Sequence, residues 1–248
     1  MQLLPVTVII LAHRIDSRLD AAIESVSWAD DICLVWAGSG VPTNLPSGEH
    51  IRVMNFSAKV DDFARTRNLA LKSAIHEWVF FLDSDEVFNP SGVEEVKKVI
   101  ANPLIDGATV SRYDIFLKRE IKYGEVGRVK AIRLVRQHKA EFERRVHEYA
   151  VVKSHVASTQ IVLYHFAHCS ISDFLDKVIY YVQIEQTERI AQKQKFHLYE
   201  MLVFPLAKFC QNYFFRLGLL DGWRGLIYAA VMSIHSFAVR ALLYEKHA

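Results

Sequence analysis

The constraint that does most to fix what this chain can become is a set of unbroken apolar runs. Val6–Ala12 is continuous and rich in β-branched residues, Asp31–Trp36 is nearly so, and Trp78–Leu82 has no polar residue at all. A strand that is apolar on both sides must be covered on both faces, as in the parallel sheet of an α/β protein. Between these runs lie stretches with helical spacing. Asp16 to Val26 repeats apolar residues at Leu19, Ile23 and Val26, with Asp16 or Ser17 as N-cap. A second helix is expected from Asp61 or Asp62 through Ala74, and a third over Pro90–Ile100. Ile51–Phe56 reads as the remaining strand of this half. The alternation predicts a mostly parallel sheet with helices on its faces. Ligands of such sheets lie outside the carboxyl ends of the strands. His13, Trp36–Gly40 and Asp83–Asp85 would then share one crevice.

After about residue 108 the pattern changes. Thr109–Leu117, Arg128–Arg136 and Gln160–Phe166 read as strands separated by charged turns, and Ser172 to Gln194 as a helix. Charge changes with it. Residues 1–110 hold 9 Lys/Arg against 15 Asp/Glu, and residues 111–248 hold 21 against 13. A second half at +8 suits an anionic partner such as phosphates or a lipid surface. From Met201 to Tyr244 the chain is rich in Phe, Leu, Tyr and Trp, interrupted by Lys208, Arg216, Arg224 and Arg240. Its longest charge-free run is Gly225 to Val239, short of the about 20 residues a spanning helix needs. The expectation is an interfacial helical hairpin broken at Gly218–Gly222, with a buried helical pair as the alternative. The apolar start lacks a basic n-region and a cleavage site, so it reads as a strand and not a signal peptide. Cys33, Cys169 and Cys210 are odd in number and far apart, which argues for a reducing compartment.

The sharpest chemical signal is Phe80-Phe81-Leu82-Asp83-Ser84-Asp85-Glu86, an apolar strand delivering three acids at its carboxyl end. Two carboxylates one residue apart can face one divalent cation. Hard oxygen ligands suit Mg²⁺ or Mn²⁺, commonly shared with substrate phosphates. A solvated acidic turn is the plainer alternative. No G-x-S-x-G elbow, P-loop or G-x-G-x-x-G occurs, which removes serine hydrolases, NTPases and dinucleotide enzymes. His165, His168 and Cys169 lack the spacing of common zinc sites. No RNA- or DNA-binding pattern accompanies the basic half, so no nucleic-acid partner is expected.

On these motifs the chain resembles family 2 inverting glycosyltransferases of the GT-A fold, and more narrowly the lipopolysaccharide-core β-1,4-glucosyltransferase group. The resemblance rests on Ser25–Ile32 (SVSWADDI), Arg67–Leu71 (RNLAL), Leu82–Glu86 (LDSDE), Val146-His147-Glu148, and His165 followed by Ser172-Asp173-Phe174-Leu175. The C-terminal Phe215–Gly222 (FRLGLLDG) completes it. It implies a GT-A-like catalytic domain over 1–170, with a nucleotide-sugar half (1–107) and an acceptor half (108–170). Residues 171–248 would form a membrane-interfacial helical region on the inner face of the plasma membrane. The implied reaction moves a hexose from a nucleotide sugar to a lipid-linked or cell-envelope glycan, with inversion. By the same resemblance Asp83 would sit near the ribose and sugar, and Arg67 and Asn68 on the nucleotide side. Asp85 would bind the metal and His165 complete its shell. Glu148 would be the base, unless it forms an ion pair with Arg144 or Arg145. His147 and the basic run containing Arg128 and Arg133 would meet the acceptor or the leaving diphosphate.

Two departures fall in the nucleoside site. Trp36 stands where the family carries an acid, and Ala12-His13-Arg14-Ile15 stands where it carries a run with Asn and Glu. Trp36 could stack on a different base with Arg14 replacing a lost contact, or the donor could be held loosely. The remaining alternative is a catalytically silent binding module for sugar or membrane surface on the same fold.

Overall fold

The computed structural model of the 248-residue chain describes residues 2–38, 40, 42, 44–55, 63–144, 148–168, 170–192 and 197–247. The chain divides into two compact units. The first is Met1–Arg112 with Val129–His165, and the second is Tyr113–Arg128 with Phe166–Ala248. The chain crosses between them inside three strands.

The first unit carries β1 (Leu4–Ala12), β2 (Ala29–Trp36), β3 (Ile51–Asn55), β4 (Trp78–Asp83) and β5 (Glu86–Phe88). Most of β6 (Gly107–Phe116), which leads to β7 (Arg119–Ile121) of the second unit, also belongs to it, as does β8 (Arg128–Arg136) beyond its first residue. The hairpin β9 (Ala140–Glu143) and β10 (Tyr149–Val152), and β11 (Val156–His168) to His165, complete it. The sheet order is β3-β2-β1-β4-β8-β6-β11-β5, and β9 pairs β10 separately. The four N-terminal strands are parallel to one another, and β8 joins β4 antiparallel. Helices α1 (Ser17–Ser25), α2 (Phe63–Lys72) and α3 (Val93–Ile100) cover the faces. The mixed α/β class with a mostly parallel sheet and flanking helices, expected from the sequence, is the class found.

Alternation explains why the strands are apolar throughout. Val8 and Ile10 of β1, with Phe80 and Leu82 of β4, enter one core cluster. Ile9 of β1, with Val79 and Phe81 of β4, enters the cluster on the other side. Both faces are dry, so each residue of the run has an apolar destination. Trp28, Phe80 and Phe88 pack with ring centroids 5.1 to 6.2 Å apart. Asp16 caps α1, its carboxylate accepting from the N–H groups of Arg18 and Leu19. The third helix starts at Val93, after a 3₁₀ turn over Pro90–Gly92. The proposed caps Asp61 and Asp62 of α2 lie outside the described residues. The sequence missed β5 and the β9–β10 hairpin. Their strands of three or four residues are too short to establish a period.

The second unit contains the hairpin of β6 and β7 (Asp114 opposite Ile121) with α4 (Ile171–Ala191), α5 (Glu200–Cys210) and α6 (Trp223–His247). Phe116, Ile121, Phe174, Val178, Tyr228 and Val231 form its core. Tyr113–Arg128 belongs to this unit. Between α5 and α6 the backbone makes a π turn over Gln211–Phe215 and a 3₁₀ turn over Gly218–Asp221. Leu217 is left-handed at φ 58°. A Cβ on Gly225 would lie 1.9 Å from the carbonyl oxygen of Gly218. Only glycine lets α6 start that close to the preceding turn. Asp221 accepts from the N–H groups of Lys122 and Tyr123. The distinctive C-terminal motif is therefore architectural. By length and composition, Trp223–Lys246 is long and apolar enough to cross a membrane. Leu202, Leu206 and Phe215 are exposed.

Candidate active site at the carboxyl ends of the parallel strands

Register brings the strand ends together. Ala12 pairs with Trp36, and Leu11 with Asp83. His13 and Arg14 leave β1, the loop after Trp36 leaves β2, and Asp83–Glu86 turns from β4 into β5 at the same edge. The acidic turn is held from beneath by Glu86, whose side chain is fully buried. Glu86 Oε2 accepts from the N–H of Asp83 at 3.0 Å. Its Oε1 accepts from Arg133 Nη2 at 2.9 Å, and the same nitrogen donates to Asp83 Oδ2 at 2.9 Å. Burial pushes the Glu86 carboxyl above its ordinary value, against the pull of Arg133. Burial would do the same to Asp83, but the guanidiniums of Arg133 and Arg67 prevail and hold it well below the usual carboxylate range. Burial works against the charge of Arg133, yet Asp83 and Glu86 keep it firmly protonated.

Arg67, from the buried face of α2, joins the carboxylates of Asp83 and Glu148. Its Nη2 donates to Asp83 Oδ1 at 2.6 Å and its Nε to Glu148 Oε1 at 2.9 Å. The guanidinium lies 5.7 Å and 5.6 Å from the ring centroids of Phe81 and Phe142. Its Nη1 is buried without a hydrogen-bond partner among the described residues. Asn68 is fixed by a reciprocal pair with the backbone of Phe142, donating to its carbonyl at 2.9 Å and accepting from its N–H at 2.8 Å. That clamp ties α2 to β9 and leaves Asn68 a supporting position.

Asp85 Oδ1 and His165 Nε2 are 3.5 Å apart, because β11 pairs with β5 and sets His165 opposite Glu86. An oxygen and an imidazole nitrogen in that relation fit two positions of a divalent-cation shell. Among the described residues no group of three His, Cys, Asp or Glu could hold a metal unaided, so substrate oxygens would have to complete it.

Several expected roles change. Trp36 is 4% exposed and belongs to the core. Its indole N–H donates to the Gly40 carbonyl at 2.5 Å, and a Cβ on Gly38 would lie 2.5 Å from the ring. Folded under its own loop, Trp36 offers no face to a base, which corrects the stacking expectation. Arg133 is bound into the acidic turn, not presented to an acceptor, because buried Glu86 requires a cation. Glu148 pairs with Arg67 rather than with Arg144. Arg14 and His13 are exposed, with Arg14 Nε 3.2 Å from His13 Nε2, and Ala12 is buried, its carbonyl accepting from Ala37 N–H. Arg145, His147 and the side chain of Arg128 lie outside the described residues. Sequence reasoning missed Glu86 as the foundation of the site. The signal available was the third acid of the strand end.

Residues 7–163 match the profile of glycosyl transferase family 2. The chain belongs to that family. As a family 2 member it is a glycosyltransferase drawing on a nucleotide sugar, and its α/β unit accords with the GT-A fold. Similar solved structures are distant. Staphylococcus aureus TarS 1–349 matches over 100% of this chain and 92% of that chain, at 14% identity and TM-score 0.44. Its complex with UDP-GlcNAc matches over the same shares at TM-score 0.45. GalNAc-T7 with UDP, GalNAc and Mn²⁺ matches over 45% of this chain and 24% of that chain, at 14% identity and TM-score 0.38.

Proposed function

We propose that the chain is an inverting, metal-dependent hexosyltransferase acting on a lipid-linked or cell-envelope glycan of lipopolysaccharide-core type. The observation that carries the reading is the single guanidinium of Arg67 holding Asp83 and Glu148 at the strand ends. Inversion needs one carboxylate to take the acceptor's proton as its oxygen attacks the anomeric carbon. Glu148 is that base; Arg67 holds one of its oxygens and leaves the other for the acceptor. Asp83, held by the neighbouring nitrogen on the same edge of that guanidinium, orients the donor. Asp85 and His165 would hold Mg²⁺ or Mn²⁺ together with the donor diphosphate. When bound, the ion would offset the charge that develops on the leaving group.

The second unit bears on the setting. Exposed apolar side chains on α5, with the excess of positive charge after residue 110, support a peripheral position on the inner face of the plasma membrane. A membrane-borne acceptor matches that position.

The test is a thermal-shift panel of UDP-, GDP-, dTDP- and CMP-sugars with and without Mn²⁺, then turnover with the donor found. A metal-dependent shift with one donor, lost in Asp85→Ala, supports the reading. Glu148→Gln keeps an acceptor for Arg67, so it should lower kcat by roughly 10²–10⁴ with donor binding intact. Absence of any donor-dependent shift would favour a silent binding module on the same fold.

A further inference from the structure

The second unit carries an open cleft of about 620 Å³ lined mainly by residues of α4, α5 and α6, within the range of small-molecule sites. Three cations line it, Arg189, Lys208 and Arg240, against two carboxylates, Glu125 and Glu185. Both carboxylates are committed. Lys208 Nζ lies 2.6 Å from Glu125 Oε1, and Arg189 Nη2 lies 2.6 Å from Glu185 Oε1, with His235 3.7 Å from the second Glu185 oxygen. Arg240 has no such partner among the described residues. It is 7% exposed, and its Nη1 donates to the carbonyl and hydroxyl of Ser236, at 2.8 and 2.9 Å. Its Nε is buried without a partner among the described residues, and the guanidinium lies over the Phe204 ring at 4.0 Å. A buried cation with no carboxylate in ion-pair contact among the described residues, only the more distant charges of Glu200 and Glu185, is a costly arrangement for a fold to keep. The apolar part of the lining includes Phe204, Phe215, Met232 and Val239.

We infer that this cleft binds a phosphate-bearing amphiphile, its phosphate on Arg240 and its acyl chains along the apolar wall. A phosphate offers several oxygens to converging cations and forks well with a guanidinium. Phe204 and Phe215, both in the lining and both exposed, give such a molecule an apolar approach. The site lies in the second unit and does not depend on the transferase reading.

The test is calorimetric titration of the full chain with dihexanoylphosphatidic acid, dihexanoylphosphatidylcholine and inorganic phosphate. The phosphatidic acid should bind saturably, and inorganic phosphate and the zwitterionic lipid at least about tenfold more weakly. Arg240→Met should weaken the phosphatidic acid by at least about tenfold while raising the melting temperature of the lipid-free protein, since a stranded charge has been removed. Met232→Trp, which fills the cleft and leaves Arg240 in place, should weaken it as well, and stands if Arg240→Met does not fold. No saturable binding of phosphatidic acid, or equal binding in both variants, overturns the inference. Inorganic phosphate binding as tightly as the lipid overturns it too, leaving a free-anion site.

Discussion

At the scale of single residues, the acidic strand end is shaped by a residue buried beneath it. Glu86 is buried beneath Asp83 and is answered by Arg133, so the turn is braced by a carboxylate–guanidinium–carboxylate bridge. Removing one partner of a buried pair leaves the other charge stranded. Arg133→Met should therefore cost about 3–5 kcal/mol in urea unfolding; a loss below about 1 kcal/mol would show that the bridge is surface-like. These residues were not equally legible in the sequence. Asp83 and Asp85 stood out because an apolar strand has no packing reason to end in acids. Arg133 did not, because it sits in a run of basic residues whose composition says nothing of which guanidinium turns inward. Trp36 misled for the opposite reason. Its type suggested stacking, but its position at the end of a buried strand gave it to the core.

At the scale of elements, periodicity carried most of the information and local chemistry fixed the ends. Asp16 caps α1, and burial alone would raise its pKa. The bond and charge of Arg18, with the N–H groups of Arg18 and Leu19, bring it below the ordinary value. Its stabilising contribution is complete above the unfolded value of about 3.9 and is lost as pH falls through the lowered one. Asp16→Ala should cost about 1 kcal/mol at neutral pH, and the gap from the parent should narrow below about pH 3.9. A gap that stays constant into acid would mean that the cap acts without its charge. The turn before α6 makes a different demand. Gly225→Ala sets a methyl against the Gly218 carbonyl, so it should lower the melting temperature and disturb α6; an unchanged melting curve would show that the turn yields freely. The short hairpin β9–β10 escaped the sequence because four residues per strand do not establish a period.

At the scale of the whole molecule, the two units differ in what they carry. The first holds the strand-end site; the second presents α6, an element that passes the length and apolarity test for crossing a membrane, although its buried face includes Tyr228, Val231 and Val239 packed in the second core. A helix so engaged should lie in the interface. Alkaline carbonate should accordingly release the protein from membranes; retention in the washed pellet would mean that α6 spans.

The second unit is also discontinuous along the chain, which matters during synthesis. Phe116 and Ile121 share a core with Tyr228, Val239 and Leu243. At roughly 5–20 residues per second, ribosomes make the later residues many seconds after the earlier ones. Through that interval the nascent chain carries an apolar hairpin whose partners do not yet exist. Its safe passage falls to chaperones, or to whatever surface the emerging chain touches first.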